Sequence, residues 1–483
     1  MRSPGLVALA IAVAAVAAAL LYTTIAQEAR YRRLMVEGEN ALASDQPFVA
    51  IEDFSGAIVL KPGSMSAYLQ RGQAYRRRGD LQTALRDLRT ATRLDPTAPT
   101  PFEDLGDVNF ALERFARAAE SYDSYLALDD RSATVLYKLA LSLFRLGDPA
   151  MAARKLGQAV RLNDRFAEAF YLLGICQGQL GQTSAAIDSL TRALTLAPMR
   201  TGTPADQQRF SAAVREELIR FLLVMKRDSE AIRELEQLAA LEPTRPDHLI
   251  DAGLIYGRLG RTDLAVAELT RAAEREPSQP RVYQALGRIW LESAETRHDR
   301  GYLNKALEAL DRAARAADAP SETFTLRGRA QLLAGDASGA QQSFEQALRR
   351  TPVDPAAYRQ TALLAERRGD LASARDSLLR YLALTTNDRD LRELPEQIGH
   401  LCLRLDDRAE AVRWLKQASE IGDDDATTIA RVAELQLRAG DGASAASTVE
   451  RGLRKTPGSA PLLALQRRLQ SNNPAPPPRR QPS

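Results

Sequence analysis

Ala84-Leu88-Ala91-Pro96 is followed by Ala186-Leu190-Ala193-Pro198, Ala265-Leu269-Ala272-Pro277 and Ala340-Phe344-Ala347-Pro352. One pattern, Ala-x3-large apolar-x2-Ala-x4-Pro, recurs down almost the whole chain on a 34-residue spacing. A period of that size means stacked supersecondary units, none with a core of its own. Large apolar residues at i, i+3, i+4 and i+7 form the stripe that each helix buries. Small residues stand where two helices approach, and Pro ends the second helix.

Upstream of these motifs the chain places Tyr68, Gly72 and Tyr75, then Phe170, Leu173 and Gly174, then Leu249, Gly253 and Tyr256. The combination resembles the tetratricopeptide repeat (TPR), a helix-turn-helix with the pattern aromatic-x2-Leu-Gly-x2-Tyr…Ala-x3-Phe…Pro. The resemblance implies an all-α solenoid, a right-handed superhelix of about twelve repeats plus a C-terminal capping helix. The register starts repeats near Tyr31, Met65, Pro99, Ala133, Ala167, Ala212, Pro246, Pro280, Ser321, Pro355, Arg392 and Ala426. Three places break the step: Thr201–Ser211, the region Glu292–Leu303, and Arg389–Leu391. Several repeats depart from the motif, with Asn109 and Leu143 for Tyr, Ala140 and Ala362 for Gly, and Pro395 in the eleventh.

The expected organisation is therefore a targeting segment at 1–26, repeats one to five at 31–200, an insertion at 201–211 and repeats six to twelve at 212–458. A capping helix at 459–470 and a disordered Pro/Arg tail at 471–483 complete it. Leu6 to Ile25 carries no charge, with Arg2 before it and Arg30, Arg32 and Arg33 after it. This reads as a secretory signal, with Thr24-Ile25-Ala26 as cleavage site, or as a single membrane anchor. The expected location is membrane-anchored or exported to the cell envelope, with orientation open.

Chemistry is sparse. Cys176 and Cys402 lie many repeats apart at positions for small apolar side chains, so buried free thiols are expected. None of the three histidines stands at metal-ligand spacing from another His or Cys; His298 lies in the break of the eighth repeat next to Asp299, Glu292 and Glu295, and that set reads as a solvated loop rather than a cation site. No metal, cofactor or catalytic residue is expected. Walker and nucleophile-elbow motifs are absent, which argues against an enzyme and against a small-molecule substrate. A net charge of +3 over 483 residues argues against nucleic acid. Only seven of the 65 basic residues are Lys, and the densest run, Arg76-Arg77-Arg78, falls at a first-helix C-terminus, where cations favour the dipole.

What remains is a surface for a protein or peptide partner. In the TPR family the first helices line a concave groove. The equivalent positions here are Tyr137, Leu141, Phe144, Tyr171 and Ile175 in repeats four and five, then Arg220, Arg288, Arg329 and Arg359 in repeats six, eight, nine and ten. They suit an extended partner with apolar anchors and some acidic residues. The same aromatics also suit packing between neighbouring first helices. The two-Lys, two-Asn, one-Arg clamp of chaperone-binding members is missing, with Ala43, Gln73 and Asp107 where polar clamp residues would stand. The expected function is a non-catalytic interaction scaffold. The alternatives are a periplasmic factor for assembly or export of an envelope polymer, and a regulatory subunit of a separate enzyme.

Overall fold

In the computed structural model the described residues are 4–196, 203–421 and 425–472; for residues 4–8, 10, 12 and 472 only the backbone is described. Among them there are 25 helices and no strand. The chain divides into two compact halves, Met1–Glu242 and Pro243–Ser483.

The first half holds six helix pairs. They are α1 (Pro4–Ala43) with α2 (Pro47–Leu60), α3 (Met65–Arg78) with α4 (Leu81–Leu94), and α5 (Thr100–Ala111) with α6 (Phe115–Leu128). Then follow α7 (Ala133–Arg145) with α8 (Pro149–Leu162), α9 (Ala167–Gln179) with α10 (Thr183–Leu196), and α11 (Pro204–Val224) with α12 (Asp228–Leu241). The second half holds α13 (Asp247–Arg258) with α14 (Thr262–Arg275), α15 (Pro280–Arg297) with α16 (Arg300–Ala314), and α17 (Ser321–Ala334) with α18 (Ala337–Leu348). It continues with α19 (Pro355–Arg367) and α20 (Leu371–Leu384), α21 (Asp388–Arg404) and α22 (Arg408–Ile421), α23 (Ala426–Ala439) and α24 (Gly442–Lys455), and ends with α25 (Ala460–Asn472).

The motif residues do what their sizes demand. Ala84, Ala186, Ala265 and Ala340 are fully buried, as are Leu88, Leu190 and Leu269. Where a first helix carries the signature glycine, it faces the large residue of its partner helix. A Cβ on Gly174 would lie 2.7 Å from Leu190 Cγ, and one on Gly106 2.4 Å from the Tyr122 ring. Helix pairs thus close by setting a small residue against a large one, not by matching stripes of equal size. The turn between the two helices repeats a single left-handed residue. Seven glycines (Gly79, Gly147, Gly181, Gly260, Gly335, Gly369, Gly440) and four other residues (Asp45, Glu113, Lys226, Asp406) make eleven such turns. All eleven fall at the fifteenth position of their repeats, where a non-glycine residue is strained. In the eighth repeat His298 has φ 53° instead.

Among the described residues, each of the three breaks in register lengthens a helix. The insertion after repeat five enters α11 at Pro204, with Thr203 and Asp206 forming a reciprocal capping box. The extra residues of the eighth repeat lengthen α15 to 18 residues. Those before the eleventh repeat extend α21, with Pro395 inside it. Helix α1 runs unbroken from Pro4, past the expected end of the targeting segment at Ala26, into the first repeat. Among the described residues no helix is long and apolar enough to cross a membrane. Part of the apolar run of α1, Leu6–Ala8 with Ala10 and Ala12, falls outside the described side chains.

At the other end, α25 packs on α23 and α24. It buries Leu462 and Leu465 as a cap must. The helix runs two residues past the expected 470. The Pro/Arg tail from Asn473 onward lies outside the described residues.

Candidate partner-binding groove

Consecutive first helices pack against one another, α7 on α9 and α9 on α11 in the first half, α13 on α15 and α15 on α17 in the second. Consecutive second helices make no comparable contact. The first helices therefore crowd on the inner side and the second helices fan outward. This places the expected groove residues on the concave side of each half.

In the first half that side carries a half-buried apolar band. The Tyr137 ring lies 5.0 Å from Phe166, and the Tyr171 ring stands edge-on to Phe210 at 5.6 Å. Tyr137, Leu141 and Phe144 lean on the core of Ala140, Leu156, Leu172 and Leu173, leaving one flank to solvent. The packing and exposure readings of these aromatics thus describe two sides of the same rings. Ile175 continues the band on α9, partly exposed. Burial pushes the Tyr171 phenol upward, and Glu217 and Glu216 add to it. Arg220 is exposed, pairs with Glu217 and stacks on the Phe221 ring. Phe210 escaped the sequence reading because it falls in the insertion. The Thr203-x2-Asp206 capping signal just ahead would have placed it on a helix.

Beside Tyr137 lies a charge network that ties repeats two to four together. Gln73 Nε2 donates to Asp104 at 2.6 Å, and Arg76 reaches Asp104 at 3.2 Å and Asp107 at 2.9 Å. Lys138 bonds Glu103 and Asp107, each at 2.8 Å, and the Tyr122 hydroxyl donates to Asp107 at 2.8 Å. Burial raises the Asp104 pKa, against the lowering action of Gln73 and Arg76. Burial works against the Lys138 charge, but Asp107 and Glu103 more than offset it. The Tyr122 phenol is raised by burial and by Asp107 and stays protonated. Gln73 and Asp107 thus serve as cross-repeat braces. The basic run is engaged too. Arg77 donates to the Leu42 carbonyl, and Arg78 pairs with Asp80 and covers the Tyr75 and Phe48 rings.

In the second half the groove arginines come with acids. Arg288 pairs with Glu322, Arg329 with Glu295 at 2.8 Å, and Arg359 with Asp390 at 3.1 Å. Arg281 reaches Asp247 at 2.9 Å and Asp251 at 2.6 Å, and Arg404 reaches Glu366 at 2.5 Å. Three of these pairs are 34 residues apart in sequence, although the longer eighth repeat means that they do not join equivalent positions. The residues form a ladder of cross-repeat ion pairs, so an acidic partner would have to compete with Glu322, Glu295 and Asp390 for them.

The acids around His298 do not gather round a common point. Glu295 is held by Arg329, and Asp299 caps α16 through the Gly301 amide at 2.6 Å. Cys176 and Cys402 are buried free thiols. Burial pushes the Cys176 thiol up to about 11, which suits packing and not nucleophilic chemistry.

Tetratricopeptide repeat models match residues 35–99, 69–133, 137–199 and 325–389, and a further one matches 249–279. The chain belongs to the tetratricopeptide repeat family. It is 27% identical over 114 residues to the small glutamine-rich tetratricopeptide repeat-containing protein 2 of Mycosarcoma maydis, a stretch that is 24% of this chain. The chain spans only 32% of the length of that relative. Among solved structures it is similar to the APC/C hetero-tetramer Cut9-Hcn1, at 14% identity and TM-score 0.38, covering 91% of this chain and 96% of that one. It is also similar to a tetratricopeptide repeat protein from Parabacteroides merdae, at 16% identity and TM-score 0.37, covering 51% and 93%. Proteins of this family are interaction scaffolds and generally non-catalytic.

Proposed function

We propose that this chain is a non-catalytic scaffold of the cell envelope that captures an extended segment of a protein partner on the concave side of its first half. The half-buried band of Tyr137, Leu141, Phe144, Tyr171 and Ile175 carries the reading, because its rings are fixed by packing yet keep one flank in solvent. Pre-set aromatic anchors cost little ordering on binding and commonly dominate an interface. The paired arginines Arg288, Arg329 and Arg359 tune association through salt and charge rather than supply the main attraction. Membrane tethering rests on the apolar run from Leu6 to Ile25.

The test is a crosslinking pull-down from native membranes. Tyr171→Ala should abolish capture with the array still helical by circular dichroism. Arg329→Glu should weaken capture chiefly at low salt. Arg89→Ala, on the exposed side of α4, should leave it unchanged. Capture that survives Tyr171→Ala but is lost with Arg89→Ala would move the site to the outer face. Stable co-purification with an enzyme would mark the chain as a regulatory subunit.

A further inference from the structure

The first half of α1 is apolar on every side. Leu9, Ile11, Val13, Val16, Leu20, Leu21, Tyr22 and Ile25 are each between 59% and 74% exposed. At 100° per residue these side chains spread over all but one arc of the helix circumference, and the exposed Ala15 and Ala19 fill that arc. A second copy or a protein partner would cover one stripe. A helix apolar all round is surrounded by an apolar medium. Leu6 to Ile25 is twenty residues, about 30 Å of helix, the thickness of a bilayer hydrocarbon core. Tyr22 stands near its end, and Arg30, Arg32 and Arg33 follow, the usual aromatic and basic residues of an interface.

The decisive feature is what comes next. Gln27, two residues beyond Ile25, already donates to the Leu60 carbonyl at 2.7 Å. Glu28 pairs with Lys61, and the Tyr31 hydroxyl bonds Ser64 at 2.7 Å. The Lys61 ammonium lies 4.4 Å from the centre of the Tyr31 ring. No linker separates the apolar run from the first repeat. Thr24-Ile25-Ala26, the alternative cleavage site, sits inside one unbroken helix.

Building on the tethered reading above, we infer that α1 is a retained bilayer anchor with no linker, so that the turn Lys61–Ser64 is held at the headgroups. Lys61 with Arg30, Arg32 and Arg33 then faces anionic lipid, which such clusters favour. The first half of the scaffold is fixed in height and orientation at the membrane, not suspended from a flexible tether.

The test uses the full chain in phosphatidylcholine vesicles containing phosphatidylglycerol, with a headgroup-attached quencher. A dye is placed by Gly63→Cys in the turn, where a side chain meets open space, or by Gln82→Cys at the opposite end of the second helix pair. The native cysteines are fully buried and stay unlabelled. Strong quenching at 63 and its loss at 82 are expected. A Gly-Ser-Gly-Ser insertion after Ala26 should lessen quenching at 63 while the chain still resists carbonate extraction. Release by carbonate overturns the tethered reading itself. Retention with equal quenching at both sites, or no effect of the insertion, overturns the rigid placement alone. A mature chain beginning at Gln27, or a detergent-stable dimer through α1, overturns the inference as well.

Discussion

Replacing Gly253 by Ala sets two known effects against each other. Within a helix the change should stabilise by up to about 1 kcal/mol from propensity. On α13, however, the new Cβ would lie 2.7 Å from Leu269 Cγ, 3.0 Å from its Cδ2 and 3.2 Å from the Ala265 carbonyl oxygen. Leu269 and Ala265 are fully buried, and the nearest atom is a branch point, not a free chain end. Overpacking of this kind typically costs about 1–3 kcal/mol, so the net expectation is a loss of about 1–2 kcal/mol. Gly157→Ala on α8 is the control. Nothing lies within 4 Å of its added Cβ, and it should stabilise by up to about 1 kcal/mol. Leu269→Ala alone should cost about 2–5 kcal/mol through the cavity it leaves. In that background Gly253→Ala should change sign, a coupling of about 2 kcal/mol in the double-mutant cycle. Urea denaturation followed by circular dichroism reads the midpoints, and native hydrogen exchange localises the loss to α13 and α14, because stability in an array sums over neighbours. If Gly253→Ala raises the midpoint as Gly157→Ala does, glycine is not there for close approach and the small-against-large account of the fold is wrong.

Other outcomes follow from single observations. The raised pKa of Asp104 means the native state binds more protons than the unfolded chain just above the ordinary carboxylate range, so stability falls as pH rises through the folded pKa. Asp104→Asn should flatten that dependence in pH-dependent melts and be the more stable protein near neutrality. Glu113 occupies the left-handed turn position that seven repeats fill with glycine. Glu113→Gly should raise the urea midpoint slightly, whereas Gly147→Ala at the same place in the next repeat should cost about 1 kcal/mol. Deleting residues 1–26 should leave the helical content and melting of the repeats unchanged, since the described side chains up to Ala26 are exposed; a lower melting temperature would show that the segment is part of the fold.

The sequence by itself determined the repeat and its register. First helices begin at Met65, Ala133, Ala167, Pro280, Ser321, Pro355 and Ala426, the positions the 34-residue step assigns. The reason is local: Gly174 and Leu190, or Gly253 and Leu269, fit only in one alignment, and a shift of one residue turns them to the wrong face of a 3.6-residue helix. Other features were decided by tertiary structure. A polar insertion such as Thr201–Ser211 reads alike as loop or helix extension, and packing against the neighbouring repeat makes it helix from Pro204 and brings Phe210 to Tyr171. The acids that pair with Arg288, Arg329 and Arg359 lie about a whole repeat away, so the sequence around each arginine does not show them. Arg288 meets Glu322 and Arg329 meets Glu295 only when first helices stack side by side. Periodicity encodes which face of a helix is buried, but not which charge on the next helix will stand opposite. That depends on the distance and angle between helices, and these exist only once the array is assembled.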